Sequence, residues 1–173
     1  MEEKAKSVEI RQPVTERIRT MEDVFKELGT DHPLVREYHN WLETTDPELR
    51  SDYTGTFLQL RMVCEALNEG CFPPEQCNIV YWPWIILYRN KKDIPEYYIR
   101  NDRFFEIPES VRCVLFGGVA HNGSLAGFAY ANSIYAPSHS NTHVGSRLCF
   151  KTRELAIHAA IHFAELWTKF YFM

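Results

Sequence analysis

The heptapeptide CFPPEQC at residues 71–77 divides the chain into two parts of different hydrophobic period, and that division constrains the fold more than any other feature. Neither proline has an amide donor and both have a fixed φ, so no helix continues through them. Ahead of the break the apolar period is helical. Ile18, Met21, Phe25 and Leu28 recur at helical spacing from Thr15 onward, with Gly29 as a stop signal. Leu34, Tyr38, Trp41 and Leu42 make a second short stripe after Pro33. A third helix is expected over residues 53–69, with Phe57, Leu60, Cys64 and Leu67 on one face and Gly70 beyond its end.

Past the break, NIVYWPWIILY is aromatic and β-branched and reads as strand, with Pro83 as a bulge or edge interruption. Three further strand candidates follow: VRCVLF at 111–116, AGFAYA at 126–131 and VGSRLCF at 144–150. A closing helix is expected over residues 152–170. Leu155, Ala159, Phe163, Leu166 and Phe170 form its stripe, Thr152 is its N-cap, and Glu154 sits in its first turn. No internal repeat or low-complexity linker separates the parts. The expectation is an α+β protein with a helical part over residues 1–76 and a second part over 77–173, sharing one core.

A formal net charge of -4 argues against a nucleic-acid partner, which would need a concentrated excess of Lys and Arg. The one short basic cluster, RNKK at 89–92, reads as a solvated turn. No apolar h-region marks the first residues as a signal peptide. The run YWPWIILY at 81–88 is far short of the roughly 20 residues that span a bilayer. The sequence thus suggests a soluble protein made in the cytoplasm, with no membrane insertion. Five cysteines, Cys64, Cys71, Cys77, Cys113 and Cys149, are an odd number without C-x-x-C spacing, which fits reduced structural thiols.

Candidate chemistry is sparse. His139 and His143 are four apart, but the residues between them are SNT, and Pro137 with the Ser and Asn content argues against a helix. His158 and His162 share that spacing on the expected last helix, beside an apolar stripe and without a third ligand nearby in sequence. Ser124 in NGSLAG lacks the first glycine of a nucleophile elbow. Cys64, Cys113 and Cys149 lie in apolar patterns where inert core thiols are the rule. GGVAHNG has neither dinucleotide-binding spacing nor a P-loop lysine. Trp82 and Trp84 read as core anchors ahead of a stacking platform. No catalytic residue, cofactor or metal site is therefore expected.

Residues 117–148, GGVAHNGSLAGFAYANSIYAPSHSNTHVGSRL, contain no Asp, Glu, Lys, Gln, Met or Trp. Their order, a GG at Gly117 and Gly118, an NG-small-AG at 122–127, an Asn/Ser-rich loop at 132–143 and a G-x-R at Gly145 and Arg147, resembles the variable region of proteins diversified by diversity-generating retroelements. The final segment also looks like that of proteins from phages and mobile elements of gut bacteria. The resemblance covers about a fifth of the chain directly. It departs from the family pattern in the helix that follows G-x-R and in the N-terminal helices.

The resemblance implies a C-type-lectin-like mixed fold and a display function, in which a fixed scaffold holds replaceable side chains against a protein or glycan ligand. In that family a randomised Asn codon cannot become Lys, Glu, Gln, Met or Trp, the five types missing from residues 117–149. The implied ligand-binding positions are Val119, Ala120, His121, Leu125, Ile134, Tyr135, His139, Asn141 and His143. Gly117, Gly118, Gly123, Gly127, Gly145 and Arg147 would be scaffold, with Arg147 at least half buried and tying loop carbonyls together. Tyr, Ser, Asn and Gly suit such a surface, combining rigid contact area with adaptable hydrogen bonding. The site is expected to be independent of metal, because the stretch lacks carboxylates. A phage receptor-binding or accessory tail component fits the resemblance, with the N-terminal helices serving homo-oligomerisation or docking to a larger particle such as a virion. Two rival readings are an intracellular interaction protein of a mobile element with one fixed partner, and a small enzyme using Cys or His.

Overall fold

A computed structural model describes residues 11–50, 52–70, 79–88, 91–100, 103–106, 128–137 and 148–172. Four helices come first: α1 (Val14–Arg17), α2 (Met21–Leu28), α3 (Pro33–Thr44) and α4 (Asp52–Leu67). Strand β1 (Ile79–Tyr88), helix α5 (Glu96–Ile99) and strands β2 (Phe104–Glu106) and β3 (Phe128–Pro137) follow, and the chain closes with α6 (Arg153–His162) and α7 (Ala164–Phe172). The described protein is mixed helix and strand, α+β in the broad sense.

The first apolar stripe is one surface carried by two helices. Ile18 is extended at φ -120° and ψ 104°, so α1 ends before it. Thr20 and Asp23 then form a capping box that starts α2: the Thr20 hydroxyl accepts from Asp23 N, and the Asp23 carboxylate accepts from Thr20 N. The last stripe divides likewise at Phe163, whose φ of -117° and ψ of 33° separate α6 from α7. Thr152 caps α6 as its position suggests, accepting from Leu155 N at 3.3 Å. In both cases the side chain at the break, Ile18 or Phe163, stays in the core. Periodicity reports which residues are buried and does not see the backbone interruption.

The main core joins both ends of the chain. Ile18, Val24 and Val35 meet Leu60, Val63 and Leu67 of α4, and these meet Leu148, Phe150, Leu155, Phe163 and Trp167. Fully burying one such aliphatic or aromatic side chain stabilises by about 1.5–3 kcal/mol. Tyr81 and Ile85 of β1 pack against the same cluster, so the core crosses the CFPPEQC division.

The sheet is antiparallel with strand order β1-β3-β2. The β1–β3 register runs unbroken from Ile79 opposite Pro137 to Tyr88 opposite Phe128. Pro83 therefore makes no bulge, and the edge alternative holds. Tyr81 exchanges both backbone hydrogen bonds with Phe150, at 3.0 and 2.9 Å, on the side away from β3. Two residues on, Pro83 has the same orientation, so β3 never needs the amide it lacks. Its carbonyl on that outer edge accepts the Tyr171 hydroxyl at 2.8 Å. The edge is thus closed by the C-terminal segment.

Helix α6 covers one sheet face, where Ala131, Ile157 and Ala160 pack with Ile85. On the other face Val80, Trp82 and Tyr130 are also buried. Burial on both faces accounts for the nearly continuous apolar run of β1.

Two sequence expectations are corrected. Residues 132–137, read as the start of an Asn/Ser-rich loop, continue β3, because β1 supplies a backbone partner at every position regardless of the low strand preference of Asn132 and Ser133. The strand expected at 144–150 is reduced, over its described residues, to one bridge at Phe150. Two short elements, β2 and α5, were not expected at all, because neither carries an alternating or striped pattern long enough to reveal it. The strand candidate at 111–116 lies outside the described residues.

Candidate functional site

Of the expected binding positions, Ile134 and Tyr135 fall on β3, opposite Trp82 and Tyr81 respectively. Val119, Ala120, His121, Leu125, His139, Asn141 and His143 lie outside the described residues. So do the scaffold positions Gly117, Gly118, Gly123, Gly127, Gly145 and Arg147.

The attachment points of those segments are described. Glu106 of β2 pairs with Phe128 of β3, so residues 107–127 leave and rejoin the sheet at neighbouring positions on one end. Pro137, opposite Ile79, ends β3 at the other end, and Phe150 returns beside Tyr81. Residues 138–147 are rooted there. A ten-residue strand rising about 3.3 Å per residue sets these two roots roughly 30 Å apart.

The second root is held by a residue that sequence reasoning missed. Asn68, 2% exposed, donates from Nδ2 to the Cys149 carbonyl at 2.8 Å and accepts the Lys151 amide on Oδ1 at 2.9 Å. Its side-chain amide thus serves the returning segment as a strand's peptide group would. Lys151 Nζ reaches back to the Asn68 carbonyl at 3.1 Å and to Glu69 at 3.3 Å. Glu69 and Gly70, at φ of 56° and 73°, turn the chain away just after the clamp. The only sequence signal was an Asn ahead of a helix-ending Gly, which also fits an ordinary cap. Glu69 is further tied to Arg17, and Arg17 to Glu27, linking α1 and α2 to the same corner.

His158 and His162 are together as their spacing on α6 requires, with ring centroids 4.3 Å apart and planes at 40°. His158 Nε2 donates to the Ile18 carbonyl at 2.6 Å, which fixes the proton of the neutral ring on that nitrogen. Burial holds the His158 pKa below the usual histidine value; the hydrogen bond to Ile18 opposes this, and the Arg19 charge adds to it. His162 is lowered by burial, by His158 and by Arg19. A cleft of about 310 Å³ beside His162 is lined also by Met21, Gln59, Glu165 and Lys169.

Nucleophilic chemistry finds little support in the described part. Cys64 and Cys149 form no disulfide and are fully buried, and burial pushes the Cys64 thiol well up, away from the reactive thiolate. Cys71, Cys77 and Cys113 lie outside the described residues. Among the described residues no group of three or more His, Cys, Asp or Glu is placed to hold a metal ion. No helix among them is long and apolar enough to cross a membrane. The two tryptophans of β1 part company: Trp82 is a core anchor at 2% exposure, whereas Trp84 is 47% exposed. Their alternation with the buried Pro83 explains neither fate, because both stand on the same face; position along the strand decides it. Comparison of the chain with known protein families, with curated proteins and with solved structures finds no match.

Proposed function

We propose that the chain is a ligand-binding display protein, diversified within residues 119–143 and without catalysis of its own. The observation that supports this best is the separation of scaffold from surface. The main described core is assembled from helices, β1 and the 148–150 segment, with Tyr130 and Ala131 of β3 buried beside it, while residues 107–127 and 138–147, which hold seven of the nine expected binding positions, are attached at the two ends of β3, the central strand. Replacing side chains in segments so attached need not disturb the clamp at Asn68 or the helical core. Residues 77–173 are then the lectin-like part of the resemblance, and the N-terminal helices a platform for self-association or for docking to a phage particle.

Sequencing the DNA around the gene tests the diversification. The expected finding is a reverse-transcriptase gene and a near-copy of the stretch coding for residues 119–143, differing mainly at adenines. If the flanks contain neither, the protein binds one fixed partner. The binding-only reading fails if replacing His121, His139 and His143 by Ala abolishes a turnover.

A further inference from the structure

Outside the expected display surface, an arginine and a pair of histidines come together on the helical side of the molecule. The peptide whose oxygen His158 holds at 2.6 Å leads directly into Arg19, so this hydrogen bond fixes the Arg19 backbone beside the histidine pair. Arg19 is exposed and makes no ion pair with any described residue. Glu16 and Glu22, each three residues from Arg19, are exposed and form no ion pair with it, and Asp23 is occupied with the Arg19 and Thr20 amides, each at 3.0 Å, and with the Thr20 hydroxyl at 2.9 Å. On α7, Glu165 and Lys169 bind each other at 3.0 Å and largely cancel. Helix α4 contributes the neutral Gln59 to the adjoining cleft, and α2 contributes Met21. On α6 itself the first carboxylate back along the chain is the exposed Glu154, one turn before His158.

One permanent cation and two imidazoles are thus held together without a dedicated counter-charge. Like charges so placed disfavour protonation of the rings, and a bound anion would reverse that. The exposed ring of His162 supplies a donor once protonated, and the Arg19 guanidinium supplies a planar fork matched to an oxyanion. We infer that Arg19, His158 and His162 form a binding site for a small oxyanion of the phosphate class. The anion sits between the guanidinium and the His162 ring, while His158 stays bound to Ile18 and orients its neighbour. This site does not depend on the display reading, which concerns other residues.

The test uses inorganic phosphate and the full chain. Histidine ring resonances are followed by NMR against pH in chloride and in phosphate at equal ionic strength, for the wild type and for Arg19→Gln. Because an anion binds the protonated pair better, the His162 pKa is expected to rise by about one pH unit in phosphate, a tenfold preference for the charged form. Half of the change should be reached below about 1 mM phosphate. Arg19→Gln, at an exposed position where thermal melting verifies the fold, should abolish most of the rise. His162→Gln should remove phosphate-dependent shifts from the neighbouring amides. Identical titrations in the two salts, a rise that survives Arg19→Gln, or half-saturation only in the tens of millimolar would each overturn the assignment.

Discussion

Replacing Asn68 by Ala tests the clamp that roots the second candidate segment. The substitution removes a buried hydrogen bond to the Cys149 carbonyl at 2.8 Å and a partly buried one from the Lys151 amide at 2.9 Å. Each contributes about 1 kcal/mol net, and each leaves a partner whose desolvation is then uncompensated at about 1–3 kcal/mol if water cannot enter. Lys151 is only partly buried, so its amide is partly rescued, and the expected total is about 2–4 kcal/mol. That is a large share of the roughly 5–15 kcal/mol typical of a folded domain. Urea unfolding followed by far-ultraviolet circular dichroism should show a lower midpoint at unchanged slope, and the melting temperature should fall by roughly 10 °C for a chain of this length. Asn68→Asp should be at least as damaging near neutral pH, since it sets a carboxylate oxygen against the Cys149 carbonyl while keeping the acceptor for Lys151. A loss below about 1 kcal/mol for Asn68→Ala would refute the argument that the side-chain amide replaces a strand partner.

Tyr171→Phe removes the hydroxyl that caps the Pro83 carbonyl, and chemical unfolding should report a loss of about 1 kcal/mol; burial holds the phenol un-ionised well above its usual range, so the effect should not change between neutral and mildly alkaline pH. His158 and His162 are held below the unfolded value of 6.5, so folding favours their neutral forms. Stability should therefore fall as pH drops through about 6.5 and level off below the folded values, and in chloride buffer a His158→Gln, His162→Gln variant should lose less between about pH 7.5 and about pH 5.5 than the wild type. Equal losses would remove the histidines from the account. Alkylation with iodoacetamide, read by peptide mass spectrometry, should spare Cys64 and Cys149 in the native protein and reach them on unfolding; rapid native labelling of either would contradict their burial.

Several features of the site were legible in the sequence and others were not. The Thr152 cap and the helical spacing of His158 and His162 are local, and both stand where the sequence puts them. What His158 holds is not local: its partner Ile18 is 140 positions away, and no pattern around either residue announces the contact. Asn68 was overlooked for the same reason, because its partners at Cys149 and Lys151 are brought to it by the return of the chain past β1. Trp82 and Trp84 look equivalent in sequence and differ in burial because of where the sheet is covered.

By itself the sequence determined the helical first half, the change from helix to strand between Leu67 and Ile79, the apolar strand over 79–88 and the return to helix after Thr152. These follow from period, caps and prolines, which act over a few residues. Tertiary structure alone decided that residues 132–137 extend β3, that Phe150 pairs with Tyr81 as a single bridge, and which side chains of the N- and C-terminal helices meet in the shared core. Strand pairing and burial are set by partners far away in the chain, and a residue such as Asn132, weak as a strand former, takes the conformation its neighbour's backbone offers.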